Sequence, residues 1–178
     1  QEVTYDDLIA PTFTAPMDVT VECDTDLTDL SATGDVMDAA DVCSADIIVS
    51  YTDELSTSEG SCLADNVVTR TWTVADGCGN TSSAVQTITL EDTTAPVVVY
   101  EASITLYDSA SENIDDFEGI SEVYDGCSDY TYTTTDIYSG SGIYSYQLNR
   151  TMVFTDACGN STTIEQLVTA IYSTGCTY

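Results

Sequence analysis

The chain contains no histidine and no lysine, and its only basic residues are Arg70 and Arg150. Without imidazole or amine, general acid–base work would fall to carboxylate pairs alone, so the sequence reads as that of a non-enzyme. Against two cations stand 31 aspartates and glutamates, a formal net charge of −29. Such a chain repels phosphate backbones and anionic lipid, which argues against nucleic acid and membrane surfaces as partners. No apolar run is long enough to span a bilayer, and there is no Gly-rich phosphate loop or nucleophile elbow. The opening residues, Gln1 to Thr4, lack the pattern of a signal peptide, as expected of a processed mature form or an excised fragment.

What is present argues for a folded protein. Apolar residues make up 43% of the chain, too many for a solvated acidic tail, and the β-branched and aromatic ones alternate with polar ones over short runs. Seven cysteines with no histidine beside them point to disulfides and an oxidising, extracellular setting rather than to a zinc site.

The strongest signal is an internal repeat. Arg70, Thr71, Asp76, Cys78, Gly79 and Asn80 recur 80 residues later as Arg150, Thr151, Asp156, Cys158, Gly159 and Asn160. Asp41-Val-Cys-Ser44, followed by alternating Ile47, Val49 and Tyr51, returns as Asp125-Gly-Cys-Ser128 followed by Tyr130, Tyr132 and Thr134. Residues 86–96 align without a gap on residues 1–11, so the first eight residues look like the last strand of a module. Period-2 alternation bounded by Gly, Asp and Asn predicts strands near 17–23, 33–39, 46–53, 66–75 and 82–90, and near 97–107, 118–124, 129–136, 143–155 and 162–172, with no helix. The fold class expected is all-β: two tandem immunoglobulin-like β-sandwiches at 11–93 and 94–178, preceded by an N-terminal extension strand at 1–10.

Given immunoglobulin-like strand order, the loops holding Cys43 and Cys78 meet at one pole, and Cys23 and Cys62 at the other. The expected bonds are therefore Cys23–Cys62, Cys43–Cys78 and Cys127–Cys158. The second module lacks both a Cys23-like and a Cys62-like residue, as loss of a bonded pair predicts. Cys176 is left over, as a free thiol or an intermolecular bridge.

At Asp76-Gly-Cys-Gly-Asn80, Asp92-Thr-Thr-Ala-Pro96 and Asp156-Ala-Cys-Gly-Asn160 the chain resembles the hyalin-type, immunoglobulin-like repeats of giant surface adhesins and secreted proteins of the Bacteroidota. The resemblance covers the first module almost wholly and mainly the final third of the second. It implies a cell-surface or filament location, adhesion and no catalysis.

Alternation places Arg70 on the face of Val68, Trp72 and Val74, and Arg150 on the face of Leu148, Met152 and Phe154, so both need carboxylate partners in structural ion pairs. Asp41 and Asp125 in the cysteine loops, or Asp76 and Asp156 at the strand ends, are the expected partners. No cofactor is required. Structural calcium is the one ion that the acidic residues Asp24, Asp26, Asp29, Glu91 and Asp92 suit, although none lies in an EF-hand loop and solvated charge is the plainer reading. Glycosylation candidates are Asn80, Asn149 and Asn160 in Asn-x-Ser/Thr triplets and Ser109 in Asp-Ser-Ala. All twelve tyrosines except Tyr5 and Tyr51 lie after residue 96, where they serve as core, as a subunit interface or as a sugar-stacking face.

Three functions fit. In the first the chain is a subunit that polymerises with copies of itself, the extension strand Val3, Thr4 and Tyr5 joining a neighbour's sheet. The second is a spacer fragment of a long cell-surface adhesin, and the third a module binding glycans, or other cell-surface proteins, through the Tyr-rich face.

Overall fold

The computed structural model describes residues 6–56, 62, 66–107, 119–141 and 145–171. Two compact units, Gln1–Asp92 and Thr93–Tyr178, make up the chain. Both are β-sandwich units, and the chain is all-β with immunoglobulin-like modules in tandem. No described helix is long and apolar enough to cross a membrane.

Unit 1 is built on a four-stranded sheet of β1 (Val19–Glu22), β2 (Ile47–Ser56), β3 (Val67–Asp76) and β4 (Thr81–Glu91), in the order β1-β4-β3-β2. β1 runs parallel to β4, and the other pairs are antiparallel. Strict alternation along β3 buries Val68, Arg70, Trp72, Val74 and Asp76 and leaves Val67, Thr69, Thr71, Thr73 and Ala75 partly exposed on the other face. This is the period-2 geometry that β-branched and aromatic residues favour on a half-buried sheet. Val68, Ile88 and Leu90 form the centre of one core cluster, sealed by Val19, Val21, Cys23 and Leu27. Outside the sheet, Thr12 and Ala40 form an antiparallel bridge.

The predicted strand at 33–39 does not form. Instead α1 (Leu30–Thr33) is a single helical turn: Asp29 caps it by accepting from the Ser31 N–H, and Gly34 at φ +94° ends it, its N–H donating to the Leu30 carbonyl. Local capping chemistry there overrides a short apolar alternation.

Unit 2 holds β6 (Ser103–Tyr107), β8 (Tyr130–Ser141), β9 (Ser145–Asp156) and β10 (Ser161–Ile171) in the order β6-β10-β9-β8, with a second sheet of β5 (Val97–Tyr100) and β7 (Ile120–Tyr124). The predicted strand at 97–107 is thus two strands in different sheets. At the break, the Glu101 N–H donates to the Gly119 carbonyl while the Ala102 carbonyl accepts from Leu167, so adjacent residues serve opposite layers. Met152, Phe154 and Ile164 pack with Val98, Ile120 and Val123 from the smaller sheet, and Ile104, Leu148, Val168 and Ala170 form a second cluster. The remaining strands lie within a few residues of their predicted positions, β8 extending further than expected.

Candidate functional site

The buried arginines organise both units. Arg70 is fully buried on β3 and sits opposite Asp53 of β2 in the sheet register. Its Nε and Nη2 donate to the two carboxylate oxygens of Asp53, each at 2.8 Å. Nη1 donates to Thr33 Oγ1 at 2.8 Å and Nη2 to the Leu27 carbonyl at 2.6 Å, so α1 and the loop before it close over the guanidinium. The Tyr51 ring lies against it, 4.0 Å from the guanidinium carbon to the ring centroid. Arg150 repeats the fork on Asp136, its register partner on β8, at 2.9 and 2.8 Å.

The partners are therefore Asp53 and Asp136, which corrects the expectation of Asp41, Asp125, Asp76 or Asp156. A carboxylate directly across the ladder and on the same face reaches the guanidinium without bending the backbone. The loop aspartates are already engaged by their own turns. Asp41 Oδ1 accepts from the N–H groups of Cys43 and Ser44, and Asp125 Oδ1 from those of Cys127 and Ser128.

Asp76 clamps the β3–β4 turn. Its Oδ1 accepts from the Cys78 and Asn80 N–H groups, and its Oδ2 from the Asn80 side-chain amide at 2.7 Å. The Asn80 amide, first among these donors, holds the Asp76 carboxyl below the usual aspartate range. Gly79 completes the turn at φ +94°. Asp156, Asn160 and Gly159 build the same turn in unit 2, which explains why this motif is the clearest repeat in the sequence.

These turns bear on the glycan candidates. The side-chain nitrogens of Asn80 and Asn160 both donate within the turns, whereas Asn149 lies exposed on β9 with a longer contact to Ser139 Oγ at 3.4 Å. Ser109 lies outside the described residues, as do Val3, Thr4, Tyr5 and Cys176.

Cys23, Cys62, Cys127 and Cys158 are disulfide-bonded. Cys43 and Cys78 are free and exposed, which corrects the expected bond between them. Their loops do meet, since the Gly77 N–H donates to Ser44 Oγ. Carboxylates surround the thiols, however: the charge on Asp7, above all, raises the Cys43 pKa, and desolvation followed by Asp7, Asp76 and Asp41 raises that of Cys78. The thiolate is the attacking species in disulfide exchange, so the raised pKa values slow the reaction of both thiols.

Of the proposed calcium residues, Asp26 accepts from Thr28 and Asp29 caps α1. None of Asp24, Asp26, Asp29 and Glu91 joins a group of three or more ligating side chains among the described residues. The described tyrosines mostly line strands rather than fill the core. Tyr132 stacks on Phe154 at 5.3 Å, Tyr130 lies 6.1 Å from the same ring, and Tyr138 pairs with a partly buried Tyr146.

All-β sandwich units in tandem, each with a buried Arg–Asp fork on one sheet and a cysteine-bearing turn at the end of the same strand, make this a chain of immunoglobulin-like repeat modules. More narrowly, residues 11–90 match the model of the HYR-like domain with 4 cysteines, a span that holds Cys23, Cys43, Cys62 and Cys78. No curated protein is similar to the chain in sequence. Among solved structures it is similar to human mucin-like protocadherin EC1-2, at 11% identity and a TM-score of 0.41 over 92% of this chain and 98% of that one. It is also similar to Drosophila N-cadherin EC1-4, at 14% identity and a TM-score of 0.41 over 93% of this chain and 50% of that one.

Proposed function

We propose that the chain is a non-catalytic, extracellular structural subunit of adhesion type that assembles head to tail, its N-terminal strand Val3, Thr4 and Tyr5 adding to an open sheet edge of a neighbouring copy. The observation that carries this reading is the pair of one-sided strands β2 and β8. Each ends its sheet and pairs among the described residues only with β3 or β9. β8 is the more receptive edge: Tyr130–Ser141 has no proline or lysine and a single charge, and it exposes Ile137 and Tyr138. Edges lacking such guards recruit further strands. Repeating one heterologous contact of this kind gives an open filament.

The same reading includes the disulfide pairings Cys23–Cys62 and Cys127–Cys158. The second is supported by the Ala157 N–H, which donates to both the Asp129 carbonyl and Ser128 Oγ and so holds the two cysteine loops together.

Deleting residues 1–5 tests assembly while leaving the docked stretch from Asp7 to Thr12 in place. The expected result is folded monomer by light scattering and no fibres by electron microscopy, and fibres that persist overturn the reading. A second reading, a spacer in a longer array of like modules, is favoured by one observation. Pro11 and Pro96 make the same entry contact, their carbonyls accepting from Ser82 Oγ and Thr162 Oγ1, each at 2.6 Å.

A further inference from the structure

At the end of unit 1 where the chain enters, the stretch from Asp7 to Pro11 is pinned at both ends. The Asn80 side-chain amide donates to the Asp7 carbonyl at 3.1 Å, and Ser82 Oγ donates to the Pro11 carbonyl at 2.6 Å. Between the pins, Leu8 and Ile9 are 84% and 55% exposed. The loop Asp41–Ser44 adjoins this stretch, with side-chain atoms of Asp41, Cys43 and Asp7 within 4.8 Å of one another, and it carries Val42, 86% exposed. Three aliphatic side chains thus face water on two neighbouring loops. One exposed apolar residue needs no explanation, but a group of them at one end of a module marks a contact surface.

The local fold does not require them. Unit 2 has Thr93, Thr94 and Gly126 at the equivalent positions, all exposed. Its turn is nonetheless the same: Asp41 Oδ1 accepts from the Cys43 and Ser44 N–H groups, and Asp125 Oδ1 from those of Cys127 and Ser128. The pin on Pro11 also recurs, as Thr162 Oγ1 on the Pro96 carbonyl. The apolar character therefore belongs to the entering end of unit 1 alone.

Reach and charge together identify what covers it. In the sequence, residues 1–5 align with Gln86–Leu90 of β4, so Val3 and Tyr5 stand at the positions of the buried Ile88 and Leu90. Tyr5 and Leu8 are three residues apart, a span of at most about 11 Å. A sheet that takes up Tyr5 is thereby held close against Leu8, Ile9 and Val42. Charge decides how two copies hold together there. Each carries −29, and its only basic side chains, Arg70 and Arg150, are buried in their forks with Asp53 and Asp136. A second copy has no basic side chain to offer an acidic neighbour, so backbone pairing and apolar burial must supply the attraction against like charge.

We infer that Leu8, Ile9 and Val42 form the surface by which unit 1 seats on the module of a neighbouring copy that receives residues 1–5, in an assembly that salt promotes. The inference rests on the strand-addition reading and adds to it a second contact and a dependence on ionic strength. Salt screens the repulsion and has no ion pair between copies to weaken.

The test is the critical concentration for fibre formation by the full chain, read by light scattering and electron microscopy. Leu8→Asp combined with Val42→Asp should raise it by at least about 10-fold, as expected for losing a buried aliphatic contact. Leu8→Thr with Ile9→Thr, the residues of unit 2, should act in the same direction. Met17→Asp with Met37→Asp adds the same charge at two side chains that are each 88% exposed outside these loops, and should leave it unchanged. Raising NaCl from about 0.01 to about 0.15 M, which shortens the Debye length from about 30 to about 8 Å, should lower it. Loop variants that assemble like the wild type, or fibres that salt dissolves, overturn the inference, while loss of fibres on deleting residues 1–5 leaves strand addition standing. Fibres that survive that deletion, or a wild type that stays monomeric at every salt concentration, overturn both. Circular dichroism of each variant separates loss of the contact from loss of the fold.

Discussion

Unit 1 and unit 2 carry the same buried arginine and the same buried glutamine on the same pair of strands, but they complete them differently. In unit 1 the Trp72 indole N–H donates to Gln86 Oε1 at 3.0 Å, and the Gln86 amide donates to the Met17 and Thr33 carbonyls. In unit 2, Met152 occupies the place of Trp72, and Gln166 Oε1 is buried without a donor although its amide reaches the Glu101 carbonyl. Tyr51, which covers Arg70 opposite Trp72, is replaced by Thr134 opposite Met152. The Arg–Asp fork survives because backbone register alone presents the two residues to each other. The Trp72–Gln86 bond does not, because it needs an indole donor that Met152 lacks. The polar order of this core therefore has a centre common to both units, the Arg–Asp fork, and a glutamine link that only unit 1 completes.

The most severe way to break the comparison is to remove the centre. Asp53→Ala strands a fully buried guanidinium and should destabilise unit 1 by about 3–5 kcal/mol, as expected for breaking a buried ion pair from one side. Asp136→Ala should act in the same way on unit 2. Trp72 is the only tryptophan of the chain, so its fluorescence follows the unfolding of unit 1. Its denaturation midpoint should fall in Asp53→Ala and hold in Asp136→Ala. A joint fall in both variants would mean that the two units unfold as one.

The cysteine poles sharpen the contrast at a lower energy. Cys127→Ser removes a bonded cysteine and should cost unit 2 about 2–4 kcal/mol. Cys43→Ser removes an exposed free thiol and should change unit 1 by less than about 0.5 kcal/mol. Parallel urea denaturations measure both. Equal losses in the two units would mean that Cys43 is bonded in solution as Cys127 is.

How much of this could be read beforehand depends on the range of the interaction. Alternation along Val67–Asp76 and its repeat showed which arginines face inward, because period 2 is a local property of the strand. The acid that each arginine meets is set by the register between β2 and β3 or β8 and β9, and connections longer than a two-residue turn leave that register open. A clue was nevertheless present: Asp53 lies in phase with Ile47, Val49 and Tyr51, and Asp136 in phase with Tyr130, Tyr132 and Thr134. Each is the one inward-facing acid of its strand, which points to it more directly than the loop aspartates do. The turn α1 was signalled by Asp29 and Gly34, but the alternation around Val36 drew the prediction toward a strand. The state of Cys43 and Cys78 was not legible, because it depends on how two loops distant in sequence meet, which no local pattern encodes.

The subtlest test copies the deficit of unit 2 into unit 1. Trp72→Phe keeps an aromatic ring between Tyr51 and the core and removes only the indole portion that carries the N–H, so Gln86 Oε1 becomes an unsatisfied buried acceptor as Gln166 Oε1 already is. The expected loss is about 1–3 kcal/mol, the desolvation cost of one stranded polar atom. The fluorophore goes with the mutation, so amide hydrogen exchange along β3 and β4 is the readout. Protection should drop around Arg70 and Gln86 and stay unchanged across β9 and β10. A further change separates the hydrogen bond from packing: Gln86→Met is costly in the wild type, where it removes the partner of the indole. It should cost less in Trp72→Phe, because there it also removes the acceptor that the first mutation stranded. If the two changes instead add independently, the Trp72–Gln86 bond contributes nothing beyond ring packing, and the difference between the units reduces to side-chain volume.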